Sequence, residues 1–273
     1  MEIAGRNALV LGATRGIGRA VALALSQAGA RVAITHFDWP EDAIATAEEL
    51  RQLSPDHLAL FVDLRQPAAI RACLDQVART FGSLAILVNN IERGGMPVVH
   101  GPYTEEQWDL EWATTVKAKW WVMRYAKPLL AAAGRGAVVT ISSMAGLVGR
   151  SGPAGLVFND GYAAANRAVS SFTETWAREL APGIRVNELM LGIVDTRHGE
   201  GTRGWSLLTP AQRQAILDHT LLGRTGRVDE VVQAVLFLLR DAEFMTGSIL
   251  RLDGGYPLGG EPPAPLPPGV LGS

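Results

Sequence analysis

Cysteine is almost absent from this 273-residue chain: Cys73 is the only one, so no internal disulfide can form. Its apolar neighbours Ala72 and Leu74 predict a buried, inert thiol rather than a nucleophile, and the lack of disulfides suits a reducing compartment. An excess of charge is missing too. Lys and Arg number 25 against 27 Asp and Glu, a net charge of −2 with a pI near 6.2, so nothing electrostatic calls for a nucleic acid or an anionic membrane as partner. No uncharged apolar run reaches the roughly 18 residues of a membrane-spanning helix. The start, Met1-Glu2, has neither the basic end nor the small-residue cleavage site of a secretory signal. The expectation is a cytoplasmic protein that binds a small molecule and holds no metal.

What is present is the balance of one large core, 48% hydrophobic and 19% charged. Short apolar runs at 8–11, 31–35, 58–62, 84–88, 136–141, 184–190 and 248–252 read as strands, most of them apolar on both faces, as in a parallel sheet covered on both sides. Helical patterns alternate with them at about 16–28, 41–53, 67–81, 104–132, 161–181, 209–219 and 228–240. The fold class is therefore α/β, a single doubly wound Rossmann-like domain, with the ligand crevice at the carboxyl ends of the strands. Residues 192–210 lack periodicity and read as a lid or a plain loop over the substrate end. The domain is expected over 1–256 and a Pro/Gly-rich tail over 257–273, including Pro262-Pro263-Ala264-Pro265.

The first strand runs into Gly12-Ala13-Thr14-Arg15-Gly16-Ile17-Gly18 and then a helix. Glycines at such a turn let the backbone approach a pyrophosphate, which then meets the free amides at the helix start. Three glycines between a strand and a helix can also be only a tight turn. Asp63 ends the third strand, where a carboxylate can accept from an adenine amino group or merely cap a turn.

With these residues in place the chain resembles a short-chain dehydrogenase/reductase over residues 5–256. The resemblance rests on Gly12, Gly16 and Gly18, on Asn89-Asn90, on Ile141-Ser142-Ser143, on Tyr162 and on Ile184-Arg185-Val186-Asn187. It continues through Asp195-Thr196, Thr246-Gly247 and Asp253-Gly254-Gly255. It implies a seven-stranded sheet that binds NAD or NADP, with a homodimer or homotetramer as the assembly. The cofactor site it implies comprises Gly12, Thr14, Arg15, Gly16, Ile17, Gly18, His36, Asp63, Leu64, Asn89, Asn90, Gly192 and Val194, joined by Tyr162 and Asn166. His36 stands where NAD-dependent relatives carry an acid, and Arg15 where many NADP-dependent ones hold the phosphate, so NADP is expected; Asp38 argues for NAD.

At the reacting end the resemblance assigns proton transfer to Tyr162 and substrate positioning to Ser143. The catalytic lysine is replaced by Asn166, four residues after Tyr162, and the helix asparagine by Thr115. The long gap between Ser143 and Tyr162 implies an insertion within 149–161 that lines the site. Glu92 adds a carboxylate nearby, for proton handling or for an ion pair with Arg93. Lys119 lies one helical turn beyond Thr115, and it either reaches the site or sits at a surface or interface. An unperturbed phenol has a pKa of about 10, so without a neighbouring cation Tyr162 stays protonated at neutral pH. That favours ketone reduction over alcohol oxidation. The expected function is an NADP-preferring reductase of a small carbonyl, enone or imine. The alternatives are non-redox chemistry on the same fold (isomerase, dehydratase or cyclase, with Glu92, Asp160 or Tyr162 moving protons), or noncatalytic nucleotide binding. Trp108, Trp112, Trp120 and Trp121 on one predicted helix are expected to form core and subunit-packing surface rather than a stacking site.

Overall fold

The computed structural model describes residues 1–91, 104–196, 205 and 208–260. Its strands are β1 (Asn7–Val10), β2 (Arg31–His36), β3 (Leu58–Phe61), β4 (Ile86–Asn89), β5 (Gly136–Ser143), β6 (Ile184–Leu191) and β7 (Ile249–Leu252). They form one sheet in the order β3-β2-β1-β4-β5-β6-β7. Every pairing is parallel. The chain runs outward from β1 to β3, then crosses back to begin the other half at β4. A crevice opens at the carboxyl ends of β1 and β4, where the two halves part.

Helices cover both faces: α1 (Gly16–Gln27), α2 (Pro40–Leu53), α3 (Pro67–Phe81), α4 (Glu105–Glu111), α5 (Ala118–Ala133), α6 (Ala145–Val148), α7 (Asp160–Leu180), α8 (Pro210–His219) and α9 (Val228–Arg240). Strand residues alternate between two cores. Val139, Ile141, Leu189 and Leu191 face α1 and α9, through Val21, Leu25, Val235 and Leu238. Val138, Ile184 and Val186 face α3, α5 and α7, through Val77, Val122 and Trp176. Cys73 lies in this second core, where burial pushes its thiol up to about 12.

Two polar side chains, the half-buried Arg185 and the buried Asn187, lock β6 to the C-terminal elements. Arg185 donates to the carbonyls of Leu238, Ala242 and Leu239 near the end of α9, and Asn187 holds Met245 O at 2.8 Å and Ser248 N at 3.1 Å. These contacts give the 184–187 motif a structural task.

Three expectations need correction. The helix expected over 104–132 is broken: a π-helical turn, Trp112–Lys117, separates α4 from α5. The run Thr114-Thr115-Val116 lies within it, and β-branched residues hold a regular helix weakly. The 149–161 insertion does not line the cleft. It winds into a 3-10 turn, Pro153–Leu156, where Tyr256 accepts from Ala154 N at 2.7 Å, and Ala154 and Phe158 pack with Trp205, Leu208 and Ile216. Finally, the chain just past Gly255 is anchored, with Tyr256 buried and a 3-10 turn over Tyr256–Leu258. The proposed lid falls largely on 197–204 and 206–207, and Glu92, Arg93 and the rest of the tail also lie outside the described residues.

Candidate active site

A cleft of about 450 Å³ occupies the carboxyl ends of the central strands. Its walls bring together Gly12, Thr14, Arg15, Gly16 and Ile17 from the first turn, His36, Asp63 and Leu64 from the second and third strand ends, and Asn90, Ser143, Tyr162, Gly192 and Val194 from the other half. These residues are spread over most of the sequence, and only the sheet order makes them neighbours.

The phosphate end is built by close approach. Gly12 has a left-handed backbone (φ 65°), and a Cβ there would meet Asn90 O at 2.8 Å. Gly18 presses on the same turn: a Cβ would lie 2.2 Å from Gly12 O and 2.7 Å from Asn90 Nδ2. Gly18 therefore does not line the cleft; it seats α1 against the turn. Asn90 Nδ2 donates to Gly12 O at 3.2 Å, Thr35 Oγ1 accepts from Gly12 N at 3.1 Å, and Thr46 Oγ1 donates to Thr14 O at 2.9 Å. Arg15, the residue before α1, is extended and gives the helix no side-chain cap. A helix start without a side-chain cap beside a glycine cradle fits a pyrophosphate of a dinucleotide.

The adenosine end carries two arginines on aromatic faces. Arg15 sits 3.8 Å from the centroid of Trp39 and Arg65 5.2 Å from that of Phe37. Trp39 reaches its place through a left-handed backbone, φ 56°, a conformation that a bulky side chain seldom takes. Arg65 grips Asp63 with Nε and Nη2, both at 2.8 Å, so the Asp63 carboxylate is engaged by an arginine as well as facing the cleft. Asp38 adds to the negative field on Arg65. Among the described residues Arg15 makes no ion pair. Burial pushes the His36 imidazole below its ordinary pKa, which keeps it neutral near pH 7. Thr35, Phe37, Trp39 and Arg65 were not foreseen as cleft residues; the aromatic pair after β2 and the arginine after β3 were the available signal.

At the reacting end Ser143 closes β5 and Tyr162 opens α7, where Asn159 accepts from Tyr162 N at 2.7 Å. Tyr162 is buried and stacks on Phe158, with ring centroids 5.8 Å apart. Ser143 Oγ accepts from Ala145 N at 3.1 Å and keeps its own proton to donate. Asn166 does not border the cleft. It is fully buried, its Oδ1 accepting from Ser143 N and its Nδ2 donating to Tyr162 O, each at 3.0 Å. The amide thus splints the two reacting residues from behind, because both its ends are claimed by their backbones. Thr115 is also displaced inward and donates to Glu111 Oε1 at 2.8 Å, while Thr114 takes the place on the wall. Asn89 lies inside the sheet rather than on the wall, with neither amide atom hydrogen-bonded. Lys119 is at neither the cleft wall nor a surface: it is fully buried, and Nζ donates to the carbonyl of Ile91, which does border the cleft.

Comparison with known proteins follows from this geometry. A family profile described as Enoyl-(Acyl carrier protein) reductase matches residues 12–257. The chain is 31% identical over 254 residues to the 3-oxoacyl-(acyl-carrier-protein) reductase FabG of Staphylococcus aureus, covering 92% of this chain and 97% of that protein. Against the protein of the same name from Escherichia coli it is 34% identical over 267 residues, covering 93% and 98%. A solved short-chain type dehydrogenase/reductase from Mycobacterium marinum matches with a TM-score of 0.77 at 28% identity, over 93% of this chain and 96% of that one. A structure from Sinorhizobium meliloti matches at 0.81 and 29%, over 94% and 98%.

Proposed function

The chain belongs to the short-chain dehydrogenase/reductase family of oxidoreductases, and from that premise we propose that it is an NADP-preferring reductase of a small, largely apolar carbonyl, enone or imine, with Tyr162 as proton donor. The observation that carries this reading is the convergence of Tyr162 and Ser143 on one cleft while Asn166, four residues on, offers only a neutral amide already bonded to their backbones.

The glycine cradle and the uncapped start of α1 fit the pyrophosphate of NADP, with Arg15 and the neutral His36 at the adenosine end to receive a 2′-phosphate. Asp38, the sign of an NAD preference, also borders the cleft, and its charge bears on Arg65 there. When bound, the reduced cofactor supplies hydride to the electrophilic carbon. Ser143 Oγ then donates a hydrogen bond to the substrate oxygen, and the Tyr162 hydroxyl gives that oxygen its proton. Reduction calls on the protonated phenol, the ordinary form of a tyrosine side chain at neutral pH, as the donor. In the opposite direction the required base is the rare form, which is why reduction is the favoured chemistry.

Trp108 and Trp120 stand partly exposed along α4 and α5, and pack on Trp112 and Trp121 with centroids 6.0 and 4.7 Å apart. These aromatic surfaces support a homodimer or homotetramer, to be checked by light scattering.

The test pairs binding with turnover. Quenching of tryptophan fluorescence should report tighter binding of NADPH than NADH, and NADPH absorbance should fall with one class in a panel of ketones, enones, imines and a 3-oxoacyl thioester. The last belongs in the panel because the FabG relatives are named for that group. Binding without turnover would sink the reductase reading. It would favour non-redox chemistry or plain nucleotide binding, the reading that the fully engaged Asn166 amide also suits.

A further inference from the structure

Behind the reacting end lies a row of polar side chains inside the sheet. Asn89, Thr140 and Glu188 are Cα partners across β4, β5 and β6, so they project from one face, toward α5 and α7. All three are fully buried. Glu188 Oε1 accepts from Ser142 Oγ and from Ser170 Oγ of α7, the latter at 3.2 Å. Glu188 Oε2, Thr140 Oγ1 and both amide atoms of Asn89 have no hydrogen-bond partner among the described residues. Two charged groups face Glu188 from the covering helices: the buried Lys119 of α5 and the exposed Arg167 of α7. Ser142 borders the cleft, next to Ser143. Ser142, a residue of the cleft wall, therefore stands between the buried carboxyl and the space where the substrate must sit.

A charge this deep does little for stability, since a buried ion pair seldom beats apolar side chains of the same size. An acid whose second oxygen lacks a partner, aligned behind a cleft serine, has a better use. We propose that Glu188 is a buried proton reservoir that exchanges with the cleft through Ser142 Oγ, with Lys119 as its charge partner. This rests on the reductase reading and supplies what that chemistry needs, a route to restore the proton that Tyr162 gives away. In the filling direction Ser142 Oγ takes a proton from the cleft and passes its own to Glu188 Oε1, which becomes a neutral carboxylic acid. In the delivering direction the acid returns a proton to Ser142, which releases one into the cleft, and the carboxylate left behind faces the Lys119 ammonium. No electrons move, and one proton is transferred at each step. Glu188 is a positioning residue, acting through Ser142.

Burial holds the Glu188 carboxyl above the usual carboxylate range, while the bonds from Ser142 and Ser170 and the charges of Lys119 and Arg167 pull it back down. The first arm of the test is an NMR titration of protein 13C-labelled at the glutamate side-chain carboxyls, with E188Q identifying the resonance. Glu188 should titrate above the exposed glutamates, and its midpoint should climb further in S142A and in K119M but return toward wild type in S142T. A midpoint among the exposed glutamates, or one unmoved by S142A, overturns the proposal. The second arm uses whichever carbonyl the wild type reduces. S142A and E188Q should lower kcat roughly tenfold, less than the ~10²-fold carried by a group that touches the substrate, with KM for NADPH unchanged and S142T near wild type. Wild-type turnover with S142A and E188Q equally fast overturns the relay. A wild type that reduces no carbonyl overturns the reductase reading instead, and the titration then decides the Ser142–Glu188 coupling alone.

Discussion

Replacing Asn166 with lysine places a cation next to Tyr162, and the structure sets the size of the effect. The wild-type amide accepts from Ser143 N and donates to Tyr162 O, each at 3.0 Å, in a fully buried position. Lysine loses the acceptor for Ser143 N, and a buried donor left unpaired costs about 1–3 kcal/mol. For a chain of this size that lowers Tm by roughly 2–10 °C. The gain is electrostatic. An ammonium that reached within about 5 Å of the phenol oxygen would, at an effective dielectric constant of about 20, favour the phenolate by about 3 kcal/mol, or roughly two pKa units. The new lysine's own desolvation takes back part of this, leaving about one to two units. Phenolate at pH 7 then rises about 10- to 100-fold, and alcohol oxidation rises with it. Reduction, which uses the phenol, should change less than about threefold while the phenol pKa stays above the assay pH. The assay is a pair of pH–rate profiles, oxidation and reduction of one alcohol–ketone couple, on N166K and wild type at matched cofactor saturation. A folded N166K that binds cofactor but oxidises with the wild-type profile would refute the argument. A wild type that already oxidises efficiently near neutrality would do so more directly.

Other consequences are as concrete. Arg15→Ala removes a cleft arginine that makes no ion pair among the described residues, so the Kd for NADPH should rise about tenfold or more while that for NADH stays within about twofold; equal losses for both nucleotides in fluorescence titrations would show that Arg15 serves no phosphate. Gly18→Ala puts a Cβ 2.2 Å from Gly12 O, so α1 must move off the turn, and both nucleotide binding and Tm should fall together; calorimetry showing wild-type affinity would contradict the cradle. For Glu188 the sign follows from its raised pKa. The fold holds this proton to a higher pH than the unfolded chain does, so its stabilisation is complete below the unfolded value near 4.3 and is lost as pH rises through the folded value. E188Q, which cannot titrate, should lose less Tm than wild type across that window, and parallel melting curves would exclude a raised Glu188.

Which parts could be read from the sequence depended on whether the physics was local. Most strands were visible because a parallel sheet covered on both sides favours an apolar run, and the ends differ from expectation by a residue or two, as at β4, read as 84–88 and found at Ile86–Asn89. The gathering of Gly12, Asn90, Ser143 and Tyr162 at one cleft followed from the order of motifs along a doubly wound sheet. The π turn within the 104–132 helix did not announce itself, since Thr114, Thr115 and Val116 keep a helical spacing of apolar and polar positions. The bonds of Asn166 were equally hidden. Four-residue spacing correctly puts it on the face of Tyr162, but spacing says nothing about which backbone groups compete for the amide. The insertion after Gly149 was expected at the cleft because it precedes Tyr162; its packing on Tyr256, 102 residues beyond Ala154 in sequence, is a tertiary fact.

Glu188 was passed over because it sits in a run, Ile184 to Met190, that otherwise reads as a buried strand. That context was the signal. Glutamate and lysine are almost never fully buried unless paired, so a glutamate inside a strand covered on both faces demands a partner. The partner lies on a helix that covers the same face: Lys119, held by the carbonyl of Ile91. The opposite face of the same strands carries Val139, Ile141, Leu189 and Leu191, and its one β6 cation, Arg185, is taken up by the carbonyls of α9. The two faces thus differ in kind: under α1 and α9 the polar side chains Arg185 and Asn187 are bound to backbone groups, whereas the other face holds a buried carboxyl beneath Ser142. Removing Asn166 from the list of charge carriers therefore does not leave the reacting end without ionisable support. It moves the charge from the helix of Tyr162 to the sheet behind Ser142, where a carboxyl and an ammonium can hold a proton without fixing the tyrosine as a base.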